Sequence, residues 1–283
     1  DVCSSDLIHM ARSRSGGGRT TSTPRMANNT LTFGFSTCPN DTFAFHALVH
    51  ELVPGPAVAP HMDDIEALNR LAERGELHAS KISIGAYNSV SKHYALLKAG
   101  GAAGYGVGPI VVAREPREVG GRVAIPGKTT TAALLLNLAG SFETVAMRFD
   151  QIENAVLRGD ADCGVLIHEG RFTYQAKGLH LICDLGALWE QQMKAPLPLA
   201  AIGIRRDMLD QAPAFDAALR ASVEYAFAHP TASRDYVRQH AQELDDRVTQ
   251  SHIDLYVNKY TIEIDQTAVD KFVEFSARHR VGQ

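Results

Sequence analysis

Residues 145–170 read VAMRFDQIENAVLRGDADCGVLIHEG, and their pattern sets the fold class. Val145–Phe149 has the apolar character of a short strand. Asp150, with Glu153 three residues on, has the form of a helix start. Ile152, Ala155 and Val156 then share one face, and Gly159 supplies the stop. Cys163–Ile167 is a continuous apolar run, the signature of a strand buried on both faces. Strand, helix and buried strand in succession predict α/β architecture with mostly parallel sheets.

The alternation continues outward in both directions. Leu31–Ser36 reads as a strand, and Asp41–His50 as a helix that opens at an Asn/Asp/Thr cluster. Asp63 followed by Glu66 resembles a capping box, with Ile65, Leu68 and Leu71 on one helix face and Gly75 as the stop. Ala79–Ile84, Pro109–Ala113 and Arg122–Pro126 are strand candidates, and Thr129–Ala139 is a helix ended by Gly140. After a strand at Leu199–Ile204 the pattern changes, and residues 207–281 are almost all helical, broken at Pro230. These elements predict a two-lobed α/β protein with a helical tail packed back on the first lobe. The expected lobes are 30–112 with 203–283, and 113–202, crossing near Val111–Arg114 and Ala200–Arg205. Residues 1–29 are rich in Ser, Arg, Gly and Thr without apolar period. They are expected to be a disordered or artefactual tail, with a natural start at Met26 or Met10.

Composition narrows the function classes. The chain has 283 residues, 45% hydrophobic and 21% charged, an ordinary globular balance. Lys and Arg total 28 against 32 Asp and Glu, a net charge of −4 that argues against nucleic-acid binding. No run of about 18 apolar residues is present, so no transmembrane helix is expected. Cys3, Cys38, Cys163 and Cys183 lack CxxC spacing and read as reduced thiols. With no secretory signal pattern in the first thirty residues, a cytoplasmic location is expected.

Several motifs fall short of the chemistry they resemble. RVAIPGKT (122–129) approximates a P-loop, but Arg122 stands where its first glycine is required. The Gly100–Gly108 run leads into a strand and reads as flexible or closely packed backbone. His46 and His50 have a metal-compatible spacing without the glutamate of HExxH or an evident third ligand. GxSxG is absent. The Asn40-Asp41-Thr42 sequon means nothing without secretion. No metal or cofactor is expected.

In open α/β sheets, ligands bind beyond the carboxyl ends of strands. Three such places carry concentrated polarity. STCPNDT (36–42) joins a strand to a helix, and helix capping explains it equally well. Lys128-Thr129-Thr130-Thr131 opens a helix whose free N–H groups favour a carboxylate. His168 follows the buried strand; its imidazole is either a proton acceptor or a satisfied structural histidine. Lys81, in the run Lys81-Ile82-Ser83, is costly to bury unpaired, so it reaches the surface or faces a ligand.

FSTCPNDTFAFHALVH, SKISIGAY, GVGPIVVAR, IPGKTTTA, LIHEGRFTY, FAHP and LYVN together resemble the 1,4-dihydroxy-6-naphthoate synthases of the futalosine route to menaquinone. The resemblance runs from about Leu31 into the C-terminal helices. It implies the two-lobed fold of type II solute-binding proteins, with a ligand cleft between the lobes. It also implies cofactor-free conversion of cyclic dehypoxanthine futalosine to 1,4-dihydroxy-6-naphthoate, with loss of a three-carbon fragment. The family's proton acceptor falls on His168, and its substrate contacts on Lys81, Ile82, Ser83, Thr130 and Thr131. Gly170 stands where the family has serine, and Thr129 where it has histidine. Three other readings share the fold: the sister enzyme that dehydrates chorismate, a solute-binding protein that does not react, and a ligand sensor. Export signals are missing for the second and a DNA-binding segment for the third.

Overall fold

The computed structural model describes residues 30–241 and 245–279. The expectations for residues 1–29, Cys3 and both candidate starts lie outside the described residues. The strands are β1 (Leu31–Phe35), β2 (Val58–Met62), β3 (Ala79–Ser83), β4 (Tyr94–Leu96), β5 (Ala102–Gly104), β6 (Ile110–Ala113), β7 (Arg122–Ile125), β8 (Glu143–Ala146), β9 (Cys163–Leu166), β10 (His180–Asp184) and β11 (Leu197–Arg205). The helices are α1 (Pro39–Val49), α2 (Ile65–Glu73), α3 (Tyr87–Val90), α4 (Thr131–Leu135), α5 (Ile152–Arg158) and α6 (Gly170–Thr173). They continue as α7 (Leu185–Met193), α8 (Ala212–Ala228), α9 (Arg234–His240), α10 (Asp246–Tyr256), α11 (Lys259–Ile262) and α12 (Gln266–Arg278).

Two sheets form. One has the order β2-β1-β3-β11-β4, with β5 also on β11, and the other β10-β6-β9-β7-β8. They are mixed rather than mostly parallel. The pairs β1–β2, β1–β3, β7–β8 and β7–β9 are parallel, while β11 and β6 run against all their partners. The expected crossings at 112/113 and 202/203 fall within or beside β6 and β11. By sheet membership the chain changes sheets in 105–109 and again in 185–196.

The strands that sequence reading passed over are short or peripheral. β2 contains Pro60, which an edge strand tolerates because the missing N–H faces away from the sheet. β4 and β5 are too short for a period to show. Local chemistry shifts several helix starts. Asp64, not Asp63, caps α2, accepting from the Ala67 amide at 3.0 Å. Asp150 makes no cap; it lies in a 3₁₀ turn, Phe149–Gln151, that leads into α5. Gly159 closes α5 in the left-handed region, φ +83°, as its position predicts.

Aromatic packing anchors both layers. Phe33, Phe35, Phe45 and Phe215 are fully buried, with Phe33 ring centroids 5.1–5.3 Å from the other three. This cluster fastens α1 and α8 to the first sheet. The tail packs back on elements of the first sheet's side: α8, α9 and α10 lie on α1, and α3 and β11 carry α12. Its Phe272 ring lies 4.8 Å from that of Trp189 in α7, the helix that follows β10 of the second sheet. Where the chain crosses between sheets, Gly108 and Gly186 pack backbone to backbone. A Cβ on Gly108 would sit 2.2 Å from Gly186 Cα, so only glycine allows the approach.

Candidate active site

Four strands, a parallel pair from each sheet, deliver their carboxyl ends to one cavity. β1 runs into Ser36, β3 ends on Ser83, β7 leads to Thr130 and Thr131, and β9 leads to Ile167 and His168. Apolar side chains such as Ile65, Val107 and Leu199 line the cavity beside a few convergent polar groups, the make-up of a small-molecule site. Lys81, Ser83, Thr130, Thr131 and His168 all line it. Ile82 does not present its side chain there. Alternation along β3 sends it to the opposite face, fully buried with Ala72 and Tyr94, so only its main chain is available to the cleft.

The strand-to-helix turn after β1 supplies no side-chain cap to α1, which opens at Pro39 behind Cys38. Asp41, 1% exposed, turns its carboxylate back from α1. It accepts from the Ser36 amide at 3.1 Å and the Ser36 hydroxyl at 2.7 Å. Its other oxygen accepts from Asn40 Nδ2 at 2.8 Å and from the Lys81 ammonium. Lys81 therefore faces the cavity from within a buried ion pair, a way of burying lysine that its neighbours in sequence do not disclose. Asn40 is itself buried and lines the cavity, which excludes it as a glycosylation acceptor.

Ser83 accepts from Asn69 Nδ2 at 2.9 Å, which leaves its own proton to give. Thr130 caps α4, accepting from the Ala133 amide at 3.1 Å and donating to the Gly127 carbonyl at 3.0 Å. Thr131 donates to the Leu199 carbonyl at 2.7 Å and accepts from the Gly85 amide at 3.0 Å. Both hydroxyls are thus occupied, and α4 spans only Thr131–Leu135 before a 3₁₀ turn, shorter than the expected Thr129–Ala139. Thr129 joins the two lobes. Its amide and hydroxyl donate to Glu66 Oε2 at 3.1 and 2.6 Å, and its hydroxyl accepts from Asn69 Nδ2 at 3.1 Å.

His168 occupies the left-handed region at φ +54°, a strained conformation for a residue with a Cβ and one that recurs at functional sites. Phe149 meets its ring edge to face at 4.9 Å, and Cys38 Sγ lies 3.3 Å from Nδ1. A second depression, lined by Asp63, Asp64 and Arg148, also borders His168. Burial pushes the His168 pKa down to about 4, the nearby Asp41 carboxylate opposing and the Lys81 ammonium reinforcing the shift. The imidazole is neutral at pH 7 and has a lone pair to offer.

The structure adds residues that local sequence gave little reason to choose. His252 and Tyr256, one turn apart on α10, line the cavity from a helix more than eighty residues after His168. Their i,i+4 spacing is a legible signal, but nothing in the sequence says which helix face meets the cleft. The His46 and His50 rings lie 4.4 Å apart and tilted, beside Tyr236, on no cavity wall with His168. Among the described residues, no group of three His, Cys, Asp or Glu could hold a metal ion.

Comparison with known proteins bears on what this cavity serves. The profile of a family described as menaquinone biosynthesis matches residues 31–278. The chain belongs to the menaquinone biosynthesis family. A 1,4-dihydroxy-6-naphthoate synthase of Thermus thermophilus is 47% identical over 257 residues, covering 88% of this chain and 94% of the relative. One from Streptomyces coelicolor is 46% identical over 252 residues, covering 84% and 89%. A protein from Archaeoglobus fulgidus superposes with a TM-score of 0.84 at 36% identity, over 88% of this chain and 97% of that one. The ligand-binding component of an ABC-type import system from Staphylococcus aureus gives 0.67 at 14% identity, over 88% and 91%. The last shows the fold alone, and it is the two-lobed binding-protein fold expected from the sequence. The family places the chain among enzymes of menaquinone biosynthesis.

Proposed function

We propose that this enzyme converts cyclic dehypoxanthine futalosine to 1,4-dihydroxy-6-naphthoate, releasing a three-carbon fragment, with His168 as proton acceptor. One observation carries the reading: a half-buried, neutral imidazole stands at the end of β9, on the same cavity as Lys81, Ser83 and the start of α4. Carbon–carbon cleavage that ends in an aromatic ring needs a proton removed and an anionic intermediate steadied. His168 takes the proton, a role worth about 10²–10⁴-fold in rate. The Ser83 hydroxyl, the remaining protons of the Lys81 ammonium and the first-turn amides at Thr130 and Thr131 hold the substrate's carboxylate. Ile82 contributes through its main chain. Contacts between lobes at Thr129 close the cleft and keep water from the reacting centre.

The same reading makes the ligand a small carboxylate rather than a nucleic acid, in keeping with a net charge of −4. A cytoplasmic location is part of the same proposal. The lobes are taken as 30–112 with 203–283 and 113–202, adjusted at each crossing to the sheet memberships above.

The test is a product assay by mass spectrometry with purified protein and cyclic dehypoxanthine futalosine. Formation of 1,4-dihydroxy-6-naphthoate by wild type, lost by at least 10²-fold in His168→Ala, is the expected result. Wild-type turnover in His168→Ala overturns the role of His168, and no product from wild type overturns the reaction.

A further inference from the structure

His252 is 1% exposed and lines the cavity, with its ring centroid 6.2 Å from that of His168 and the two planes 13° apart. Its protonation pattern follows from a chain of hydrogen bonds that begins at Asp41. An ionised carboxylate only accepts, so the Asn40 group 2.8 Å from Asp41 Oδ1 is the NH₂ end of the amide. The Asn40 carbonyl oxygen must then point the other way, and it lies 2.9 Å from His252 Nε2. An amide oxygen also only accepts, so Nε2 carries the ring proton. Burial, reinforced by His168 and Lys81, holds the His252 pKa well below the usual histidine range, so the ring has one proton and no second.

Nδ1 is left as a bare acceptor. It is buried and has no hydrogen-bond partner among the described residues. Buried polar atoms are almost always paired, and an unpaired one in a ligand cavity points to what the ligand supplies. Tyr256, one turn on, borders the same space and its ring lies 4.7 Å from that of His252. The relay costs two buried side chains to orient one imidazole, which a purely space-filling role would not require.

We infer that His252 is a substrate-binding residue whose Nδ1 accepts a hydrogen bond from a substrate hydroxyl beside the reacting centre, held in that tautomer by Asn40 and Asp41. The inference rests on the functional reading above and deepens it: the ligand carries a hydroxyl donor on the His252 side as well as a carboxylate. The site selects polyhydroxylated substrates over deoxygenated ones, because a ligand without the donor leaves Nδ1 unpaired.

Full-length variants and the product 1,4-dihydroxy-6-naphthoate, whose phenolic groups are donors, provide the test. His252→Gln keeps an amide near the Nε2 position for Asn40 but removes the Nδ1 acceptor. His252→Phe keeps the ring without either nitrogen and serves if the glutamine variant does not fold. His252→Asn returns an amide oxygen near the Nδ1 position. Turnover of cyclic dehypoxanthine futalosine by wild type is measured first, then KM and the calorimetric Kd for the product. The expected result is a rise in KM and Kd of about tenfold in His252→Gln and His252→Phe, partly recovered in His252→Asn. Wild-type turnover with unchanged KM and Kd in the folded variants overturns this assignment alone. No wild-type turnover overturns the functional reading and this assignment with it.

Discussion

Cys38 Sγ lies 3.3 Å from Nδ1 of His168, across the cleft from a residue 130 positions later in the chain. The thiol is buried, and burial together with the Asp41 and Glu169 carboxylates pushes its pKa far up, so it stays protonated and is no nucleophile. Its part is to orient the imidazole. A neutral His168 that donates from Nδ1 to this sulfur keeps its Nε2 lone pair for a ligand, the arrangement the proposed proton-acceptor role requires.

Replacing that sulfur tests the orientation. Cys38→Ala should lower kcat about tenfold with little change in KM, and Cys38→Ser, which keeps an acceptor, should recover most of the loss. Steady-state kinetics on the two variants decides it; wild-type kcat in the alanine variant rejects an orienting role.

The depressed pKa of His168 has a signed consequence for pH. Its folded value of about 4 lies below the ordinary 6.5, so the unfolded chain binds the extra proton between those values. Stability should therefore rise with pH across the window from 4 to 6.5, by on the order of 3 kcal/mol from this group, and be fully present above it. His252 acts in the same direction. The acid limb of kcat/KM for free enzyme should likewise fall near pH 4, not near 6.5. A pH–rate profile centred at 6.5 would show that the base is another group or that the cleft is open to water.

The buried Lys81–Asp41 pair should be far more sensitive to breaking than to removal. Lys81→Met leaves the Asp41 carboxylate buried without its cation and should cost about 3–5 kcal/mol in denaturant unfolding. Asp41→Asn combined with Lys81→Met removes both charges and should recover part of that loss. Equal stability of the single and double variants would mean that water compensates the carboxylate.

Glu66 and Thr129 meet across the lobes, the carboxylate accepting from both the amide and the hydroxyl of Thr129. Gly127, at φ +137°, brings the loop close enough that a Cβ there would strike Glu66. Thr129→Val removes the hydroxyl bonds to Glu66 and Asn69 but spares the amide. It should raise KM about five- to tenfold by weakening cleft closure, at about 1 kcal/mol or more per lost bond. Unchanged KM would show that closure does not depend on the hydroxyl.

Much of this protein was legible along the chain because the relevant signals are local. The apolar run Cys163–Ile167 and the turn at Gly159 each express the physics of a few neighbouring residues. They predicted an α/β chain in two lobes and put His168 just past a strand and Lys81 and Ser83 on another, both of which lead to the cavity. Local signals failed where neighbours in space outweigh neighbours in sequence. Asp150 does not cap, β2 hides behind a proline at an edge, and the sheets are mixed because β6 and β11 return antiparallel between strands that local pattern leaves ambiguous.

The residue types and their order thus determined by themselves the class of fold, the helical tail and the polar groups available at strand ends. Only the tertiary structure decided how those groups are charged and paired. Asp41 meets Lys81 forty residues on, and Asn40 meets His252 two hundred and twelve residues on. Whether a buried lysine is paired, a histidine neutral or a ring nitrogen bare depends on desolvation and on hydrogen-bond partners, and folding sets both at once.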